Sequence, residues 1–275
     1  MSRLSHTFAE LRSRGRKGLV PYVVAGDPSP EGTVTLLHAL VAAGADVLEV
    51  GVPFSDPMSE GPVIQKGHER ALARGMSLQR VLDMVSVFRQ EDNKTPIVMM
   101  GYANPIERFG YERVASACAK AGVDALITVD LPPEEVDEID GALLAVGLDN
   151  IFLISPTTPE ARIQTIVERA RGFIYCVAVK GVTGSGQLNA EEVSRSVALI
   201  RQKTDLPIAV GFGIKDAESA RAVAASADAV VVGSALIAEM DKKAQSDEDL
   251  QEIQIHDAAV QLLQSMRAGV DSSPS

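Results

Sequence analysis

The sequence predicts an α/β protein: a single (β/α)8 barrel, of the TIM-barrel class, with an extra helix before the first strand. A short β-branched run followed by a turn and a helical stretch recurs eight times along the chain. Most runs are too continuously apolar for one-sided strands and are typical of parallel strands covered on both faces. The length of 275 residues also fits one such barrel, which takes about 250 residues.

The apolar runs are interpreted as the eight strands. Alternating strands and helices allow a closed barrel or an open, doubly wound sheet. The count of eight favours the barrel, and no run is followed by the GxGxxG turn of a dinucleotide-binding sheet. We expect one domain over residues 1–268 and a disordered tail over 269–275. The predicted strands cover residues 19–26, 47–51, 96–102, 125–130, 150–155, 173–179, 207–213 and 229–235.

Helices are predicted between these strands. Residues 29–31 (SPE) form a typical helix start, for a helix that runs to about Ala43. Gly44 and Gly122 each stand between a helical stretch and a strand, as expected of C-terminal caps. A short helix over residues 7–13 is expected to close the bottom of the barrel. Further helices are predicted from Ser77 to Phe88 and over residues 111–121, 134–146, 159–170, 189–202, 216–225 and 247–267.

Composition and charge exclude several classes of protein. Acidic residues outnumber basic ones by 37 to 26, giving a net charge of −11, which argues against a nucleic-acid binder. No apolar run approaches the roughly 18 residues of a membrane span, and the N-terminus lacks an apolar signal core. Cys118 and Cys176 are expected to be buried thiols of a cytoplasmic protein.

The histidines are interpreted as surface or packing residues, because they fall in predicted helices or in the N-terminal segment. No spacing of metal-binding side chains is recognised, so no metal site is predicted. The four are His6, His38, His68 and His256.

Glu49 is a charged residue inside an apolar strand. Strand alternation puts it on one face with Val47 and Gly51, while Leu48 and Val50 suit the helix side. We therefore expect Glu49 to point into the barrel near its C-terminal mouth, where such barrels carry their active sites. A buried carboxyl group without a partner has a raised pKa, which suits it to proton transfer. Pairing with a basic residue stays open as the alternative.

Further candidate residues are expected at the same end of the barrel. Residues 53–62 form a loop with three prolines and two acids, and Glu60 in this loop can reach back over the mouth. Tyr175 on the sixth strand faces either the mouth or the core. Solvated loop residues are the alternative for the acids of this loop.

Glycines follow the late strands, within residues 181–186, 211–213 and 233–234. Glycine lets an anion approach the backbone closely, and phosphate sites in these barrels commonly follow strands seven and eight. Ordinary turn glycines are the alternative. The residues alone thus predict a phosphate-bearing substrate and acid–base chemistry at Glu49.

The motifs in combination resemble the tryptophan synthase alpha subunit family. Residues 48–57 (LEVGVPFSDP), followed by residues 61–65 (GPVIQ), are similar to that family's signature. The resemblance extends from about Phe8 to Met266. Other matching motifs are residues 102–106 (YANPI), 130–135 (DLPPEE), 181–184 (GVTG), 211–213 (GFG) and 233–234 (GS).

The resemblance implies retro-aldol cleavage of indole-3-glycerol phosphate to indole and glyceraldehyde 3-phosphate, without a Schiff base or a metal. It implies that Glu49 is the general acid/base, that Glu60 holds the indole N–H, and that Tyr175 lines the site. The phosphate ligands would be Gly184, Gly213, Gly233 and Ser234. The apolar indole pocket would comprise Tyr22, Met100, Ile127, Val129 and Phe212, and residues 181–187, which include Thr183, would form a lid.

The resemblance also implies a partner. The family's alpha subunit docks on a beta subunit that contains pyridoxal phosphate and receives indole through a tunnel, in an α2β2 assembly. The loops that contain residues 56–57 and 104–105 would lie at that interface. Pyridoxal phosphate would belong to the partner, and no cofactor is expected in this chain.

Glu60 departs from the family, which places Asp there, and its carboxylate therefore stands one methylene further out. Positioning errors of about 1 Å can cost on the order of 10²-fold in rate. An alternative function is therefore a weakly catalytic regulatory subunit that binds the phosphate ligand and activates a beta subunit. A third reading, an isomerase or indole-glycerol-phosphate synthase, is disfavoured because the latter needs a catalytic Lys inside a strand.

Overall fold

The strands form a closed parallel barrel in the order β1 to β8, in which β8 pairs with β1. The structure is a computed structural model that describes residues 2–178, 189–211, 213–246 and 252–273. All eight predicted strands are confirmed, and closure excludes the doubly wound sheet. The strands are β1 (Gly18–Val24), β2 (Leu48–Gly51), β3 (Ile97–Gly101), β4 (Ala125–Thr128), β5 (Asp149–Ile154), β6 (Ile174–Val177), β7 (Ile208–Gly211) and β8 (Ala229–Val232).

Twelve helices lie within the described residues, and they cover the outside and the bottom of the barrel. Gly122 ends α6 in the left-handed region at φ 91°, as predicted for a C-terminal cap. The helices are α1 (Arg3–Ser13), α2 (Thr33–Ala42), α3 (Pro62–Ala73), α4 (Leu78–Phe88), α5 (Ala103–Phe109), α6 (Tyr111–Ala121), α7 (Asp137–Ala145), α8 (Glu160–Arg169), α9 (Ala190–Arg201), α10 (Ala217–Ala224), α11 (Ser234–Ser246) and α12 (Glu252–Asp271).

The predicted start of the second helix at Ser29 is wrong, because α2 begins at Thr33. Ser29 instead closes a turn ahead of the helix. Its Oγ accepts a hydrogen bond from the Gly32 N–H at 3.0 Å, and its carbonyl accepts one from Thr33 Oγ1 at 2.9 Å. Serine side chains favour such local bonds over a helical first turn.

The tail expected to be disordered over 269–275 is wrong at its start, because α12 continues to Asp271. Gly269 and Val270 are buried. A Cβ at residue 269 would collide with the Ala217 carbonyl oxygen, so this glycine permits close contact between α12 and α10. Arg267 also pairs with Asp271 across one helical turn at 2.7 Å. Packing and an ion pair therefore order these residues.

The N-terminal helix closes the bottom of the barrel, as predicted. Leu4, Phe8 and Leu11 of α1 are buried. The ring of Phe8 packs against Phe173, just ahead of β6, with 5.7 Å between ring centroids. Leu11 approaches Gly18 at the start of β1. Apolar side chains thus fill the end of the barrel at which the strands begin.

The two cysteines are buried and unpaired, as predicted. Burial raises the pKa of both Cys118 and Cys176 to about 12, so neither thiol ionises at neutral pH.

Over the described residues, we find no helix with the length and apolar character that crossing a bilayer requires.

Candidate active site

A cavity lies at the mouth of the barrel, where the strands end. Most of the predicted site residues within the described chain meet there. They come from β1, β2, β3 and β6 and from the segments after β2, β7 and β8. The lining comprises Tyr22, Glu49, Glu60, Ile64, Met100, Tyr175, Gly213, Ile214, Val231, Gly233 and Ser234.

Glu49 points into this cavity from β2, as strand alternation predicted. Its side chain is buried, at 1% exposure. Neither carboxyl oxygen has a hydrogen-bond partner among the described residues, so the alternative of a paired basic residue fails there. Burial, followed by the negative charge of Glu60, raises the pKa of Glu49 from 4.5 to about 8. Glu49 therefore holds a proton at neutral pH and is able to deliver it to a bound molecule.

Two tyrosines flank Glu49, and glycines on the adjacent strands make room for them. A Cβ at Gly51 would collide with the Tyr22 hydroxyl, and a Cβ at Gly211 would collide with that of Tyr175. Burial, with smaller effects from the Glu60 and Glu49 charges, raises the pKa of Tyr22 and of Tyr175 well above 10. Both phenols therefore stay neutral at physiological pH.

Glu60 reaches over the mouth, as expected, and its side chain is only 3% exposed. It accepts hydrogen bonds at both carboxylate oxygens. The Tyr22 hydroxyl donates to Oε2 at 3.2 Å, and the Tyr102 hydroxyl donates to Oε1 at 3.3 Å. His68 Nε2 lies 2.8 Å from Oε2. The carboxylate of Glu60 is thus fixed by three side chains, whereas the carboxyl group of Glu49 has no hydrogen-bond partner in the part of the chain that the structure describes.

His68 is a buried residue next to the site, which the reading of the histidines as surface or packing residues did not foresee. Its side chain is 1% exposed and contacts Glu60 and Tyr22. His68 was assigned to a helix without bounds, so the position of α3 beside the mouth was not foreseen. The signal was present in the sequence, since Ile64, His68 and Ala71 recur at helical spacing and form the buried face of α3.

The part of the cavity lining that follows β7 and β8 is suited to an anion. Gly213 adopts φ 77°, and Gly233 and Ser234 stand where β8 passes into α11. The first N–H groups of a helix have no intrahelical acceptor, and the helix dipole is positive at this end. The N–H groups of Ser234 and Ala235 at the start of α11 therefore favour a bound phosphate.

Some predicted site residues are not brought into the cavity. Ile127 is fully buried in β4, and Val129, just after β4, is half-buried; neither is among the residues that line the cavity. Thr183, Gly184 and Phe212 lie outside the described residues. Sequence reasoning also missed lining residues that carry no chemical signal: Ile64, Ile214 and Val231.

Metal binding finds no support in the part of the chain that the structure describes. No three His, Cys, Asp or Glu side chains there are grouped so that they could hold an ion.

Comparison with known proteins gives consistent similarities along the whole chain. The family model described as tryptophan synthase alpha chain matches residues 8–267. The tryptophan synthase alpha chain of Thioalkalivibrio sulfidiphilus is 57% identical over 237 residues, 86% of this chain and 89% of that protein. That of Bordetella parapertussis is 52% identical over 271 residues, 98% of this chain and 95% of that protein. The crystal structure of subunit alpha from Legionella pneumophila superposes with a TM-score of 0.90 at 44% identity, covering 98% and 99% of the two chains.

Proposed function

The chain belongs to the tryptophan synthase alpha chain family, and from this premise we propose that it cleaves indole-3-glycerol phosphate to indole and glyceraldehyde 3-phosphate, a lyase step of L-tryptophan biosynthesis. The observation that carries the proposal is Glu49. Its carboxyl group is buried at the mouth, has no partner among the described residues and has a pKa raised to about 8. A proton donor in that state suits chemistry that begins by protonating a carbon atom.

Glu49 acts first as the acid in this proposal. It transfers its proton to C3 of the indole ring, which leaves a positive charge on the ring nitrogen. The bond between C3 and the glycerol carbon then breaks, and its electron pair returns to the ring and neutralises that nitrogen. The hydroxyl on the same glycerol carbon loses its proton and becomes the aldehyde. The Glu49 carboxylate accepts this proton and is restored to its starting state.

Glu60 would stabilise the positive charge that develops on the ring nitrogen, by accepting the indole N–H. A fixed carboxylate in a buried site is well suited to this, because it needs little reorganisation during the reaction. Tyr22 and Met100 would contact the ring, and Tyr175 would line the site beside Glu49.

The phosphate would be bound by backbone groups at Gly213, Gly233 and Ser234, with the dipole of α11 directed at it. Gly184 is expected to join them, and the loop over residues 181–187, which contains Thr183, is expected to act as a lid; both lie outside the described residues. Backbone donors bind the anion without placing a basic side chain beside Glu49.

We further infer a partner: a beta subunit that holds pyridoxal phosphate, in an α2β2 assembly. The loop after β2 and the start of α5 support this inference. The rings of Phe54 and Tyr102 stack with 5.0 Å between centroids, which keeps the two segments together. Their outer residues, Asp56, Met58 and Asn104, are exposed, and 68% of the Met58 surface is accessible. An apolar side chain at this exposure suits a docking surface beside the site.

A regulatory role with weak catalysis is the second candidate. It is favoured by the hydrogen bonds that Glu60 already accepts at both oxygens, since the indole N–H would compete with these donors for the carboxylate. In this case the chain would bind the phosphate ligand and activate the beta subunit without cleaving substrate efficiently.

The test is formation of indole from indole-3-glycerol phosphate by the native chain, alone and with the beta subunit of the same organism. We expect indole under both conditions. Activation of the beta subunit without measurable indole formation would select the regulatory role. No indole and no effect on the beta subunit would contradict both candidates.

A further inference from the structure

We propose that His68 is the positioning residue for Glu60: it anchors one carboxylate oxygen so that the other contacts of Glu60 are free to exchange for substrate. The predicted effect of His68 on the reaction rate rests on the proposed function, whereas the hydrogen bond between His68 and Glu60 does not. His68 lies on the second turn of α3, and Glu60 lies two residues before that helix begins. The two side chains are 1% and 3% exposed, so water competes little for the bond between them.

The hydrogen on the His68 ring is placed by the backbone. The Phe54 N–H donates to Nδ1 at 3.0 Å, so Nδ1 is an acceptor and the hydrogen of the neutral ring is on Nε2. Nε2 then donates to Glu60 Oε2 at 2.8 Å. One ring thus joins the start of the loop after β2, at Phe54, to its end, at Glu60. The carboxylate is thereby fixed relative to the strand that carries Glu49.

The distances separate the anchor from the exchangeable contacts. Hydrogen bonds from hydroxyl groups to oxygen are usually about 2.7–2.8 Å long. The Tyr22 and Tyr102 hydroxyls lie 3.2 and 3.3 Å from the Glu60 oxygens, so both bonds are long, whereas the bond from His68 has the length of a strong charge-assisted bond. The indole N–H is therefore expected to replace a tyrosine hydroxyl and to leave the bond from His68 intact.

The pair also accounts for the length of the side chain at position 60. Shortening it by one methylene withdraws the carboxylate by about 1.5 Å, one carbon–carbon bond. From 2.8 Å, Nε2 would then lie beyond hydrogen-bond reach. Glu60 and His68 are thus a matched pair, and Glu60→Asp is expected to lower activity in this chain.

Two substitutions at His68 separate its two hydrogen bonds. In His68→Gln, the amide nitrogen takes the place of Nε2 and keeps the donor to Glu60. In His68→Asn, the amide oxygen takes the place of Nδ1 and keeps only the acceptor for Phe54. We expect kcat for indole formation to fall about 10- to 100-fold in His68→Asn, with KM within about threefold, and His68→Gln to retain most of the native kcat. Equal losses in the two variants, or no loss in His68→Asn, would overturn the proposal.

Nitrogen-15 spectra of labelled histidine test the contact without using activity. We expect the native protein to show His68 as the Nε2–H tautomer, with a slowly exchanging proton that is lost in Glu60→Leu. Thermal unfolding of each variant checks that it folds. An Nδ1–H tautomer in the native protein would overturn the proposal. If the native chain fails to form indole while the Nε2–H tautomer is present, the proposed function fails and the His68 contact stands.

Discussion

Two buried carboxyl groups lie at opposite ends of the barrel, and their surroundings are opposite in kind. Asp124, just before β4, is 5% exposed. It accepts hydrogen bonds from Arg89 at 2.9 Å, from Arg3 at 3.0 Å and from the Ile97 N–H at 2.8 Å. Glu49, within β2, is 1% exposed and has no hydrogen-bond partner among the described residues.

The difference between these two carboxyl groups indicates that one end of the barrel serves stability and the other serves catalysis. A buried charge is costly unless it is paired and hydrogen-bonded. At the bottom, Asp124 joins α1, α4, β3 and β4 in a satisfied network, so its charge supports the fold. At the mouth, Glu49 has no such network among the described residues, and burial keeps it protonated and available for proton transfer. In barrels of this class, residues at the bottom serve stability and residues at the mouth serve catalysis. The paired Asp124 and the buried Glu49 follow that division.

Replacing the carboxylate of Asp124 should produce the largest loss of stability. Asp124→Asn removes the charge that pairs with the buried Arg89, whose side chain is 7% exposed. We expect the free energy of unfolding to fall by about 3–5 kcal/mol, as is typical when one member of a buried pair is lost. Denaturant unfolding measures this change. The indole-forming activity of the folded fraction should stay native, and a loss of kcat would place Asp124 in the catalytic machinery.

The same chemical change at Glu49 should act with the opposite sign. The pKa of Glu49 is raised from 4.5 to about 8 in the folded chain. Between these values the folded state holds a proton that the unfolded state has released, so stability falls by about 1.4 kcal/mol per pH unit. Glu49→Gln does not titrate, and its stability relative to the native chain should rise from pH 4.5 to pH 8, by roughly 3–5 kcal/mol in all.

Unfolding curves for native chain and Glu49→Gln at several pH values measure that difference. A constant difference across this range would show that Glu49 is not held protonated by the fold.

A smaller effect is expected in the pH dependence of the reaction. Glu49 donates its proton only while protonated, so kcat/KM should fall about tenfold per pH unit above about pH 8. Tyr22 and Tyr175 also face Glu49, but their pKa values lie well above 10. Glu60→Gln removes the negative charge that is the second cause of the raised pKa of Glu49, so kcat/KM should begin to fall at a lower pH. If the fall in kcat/KM stays at the same pH, a group other than Glu49 controls it.

The strands and the orientation of Glu49 were predictable because their signals are local. Burial on both faces makes a strand continuously apolar, and a period of two fixes the direction of each side chain. A Glu within such a run is therefore recognisable without knowledge of the fold. Gly233 and Ser234 were also predictable as phosphate ligands. They follow directly on the end of β8 at Val232, and a helix that starts after a late strand favours anion binding at its N-terminus.

Three helices were not predicted, because they begin inside segments with the composition of loops. α3 starts at Pro62 after a proline-rich segment, and α5 and α11 each start two residues after the preceding strand ends. His68 was missed with α3. The helical spacing of Ile64, His68 and Ala71 indicates that His68 is buried. It does not reveal the contact with Glu60, which joins residues eight apart through a turn whose path only the folded loop determines.

The proposed mechanism depends on proton transfer by the carboxyl group of Glu49, which has no hydrogen-bond partner among the described residues. Its most direct test is the rate of indole formation from indole-3-glycerol phosphate by Glu49→Gln, measured with the beta subunit and compared with the native chain. We predict a loss of at least about 10²- to 10⁴-fold, while the variant still binds glycerol 3-phosphate as the native chain does. Near-native turnover in Glu49→Gln would contradict the account.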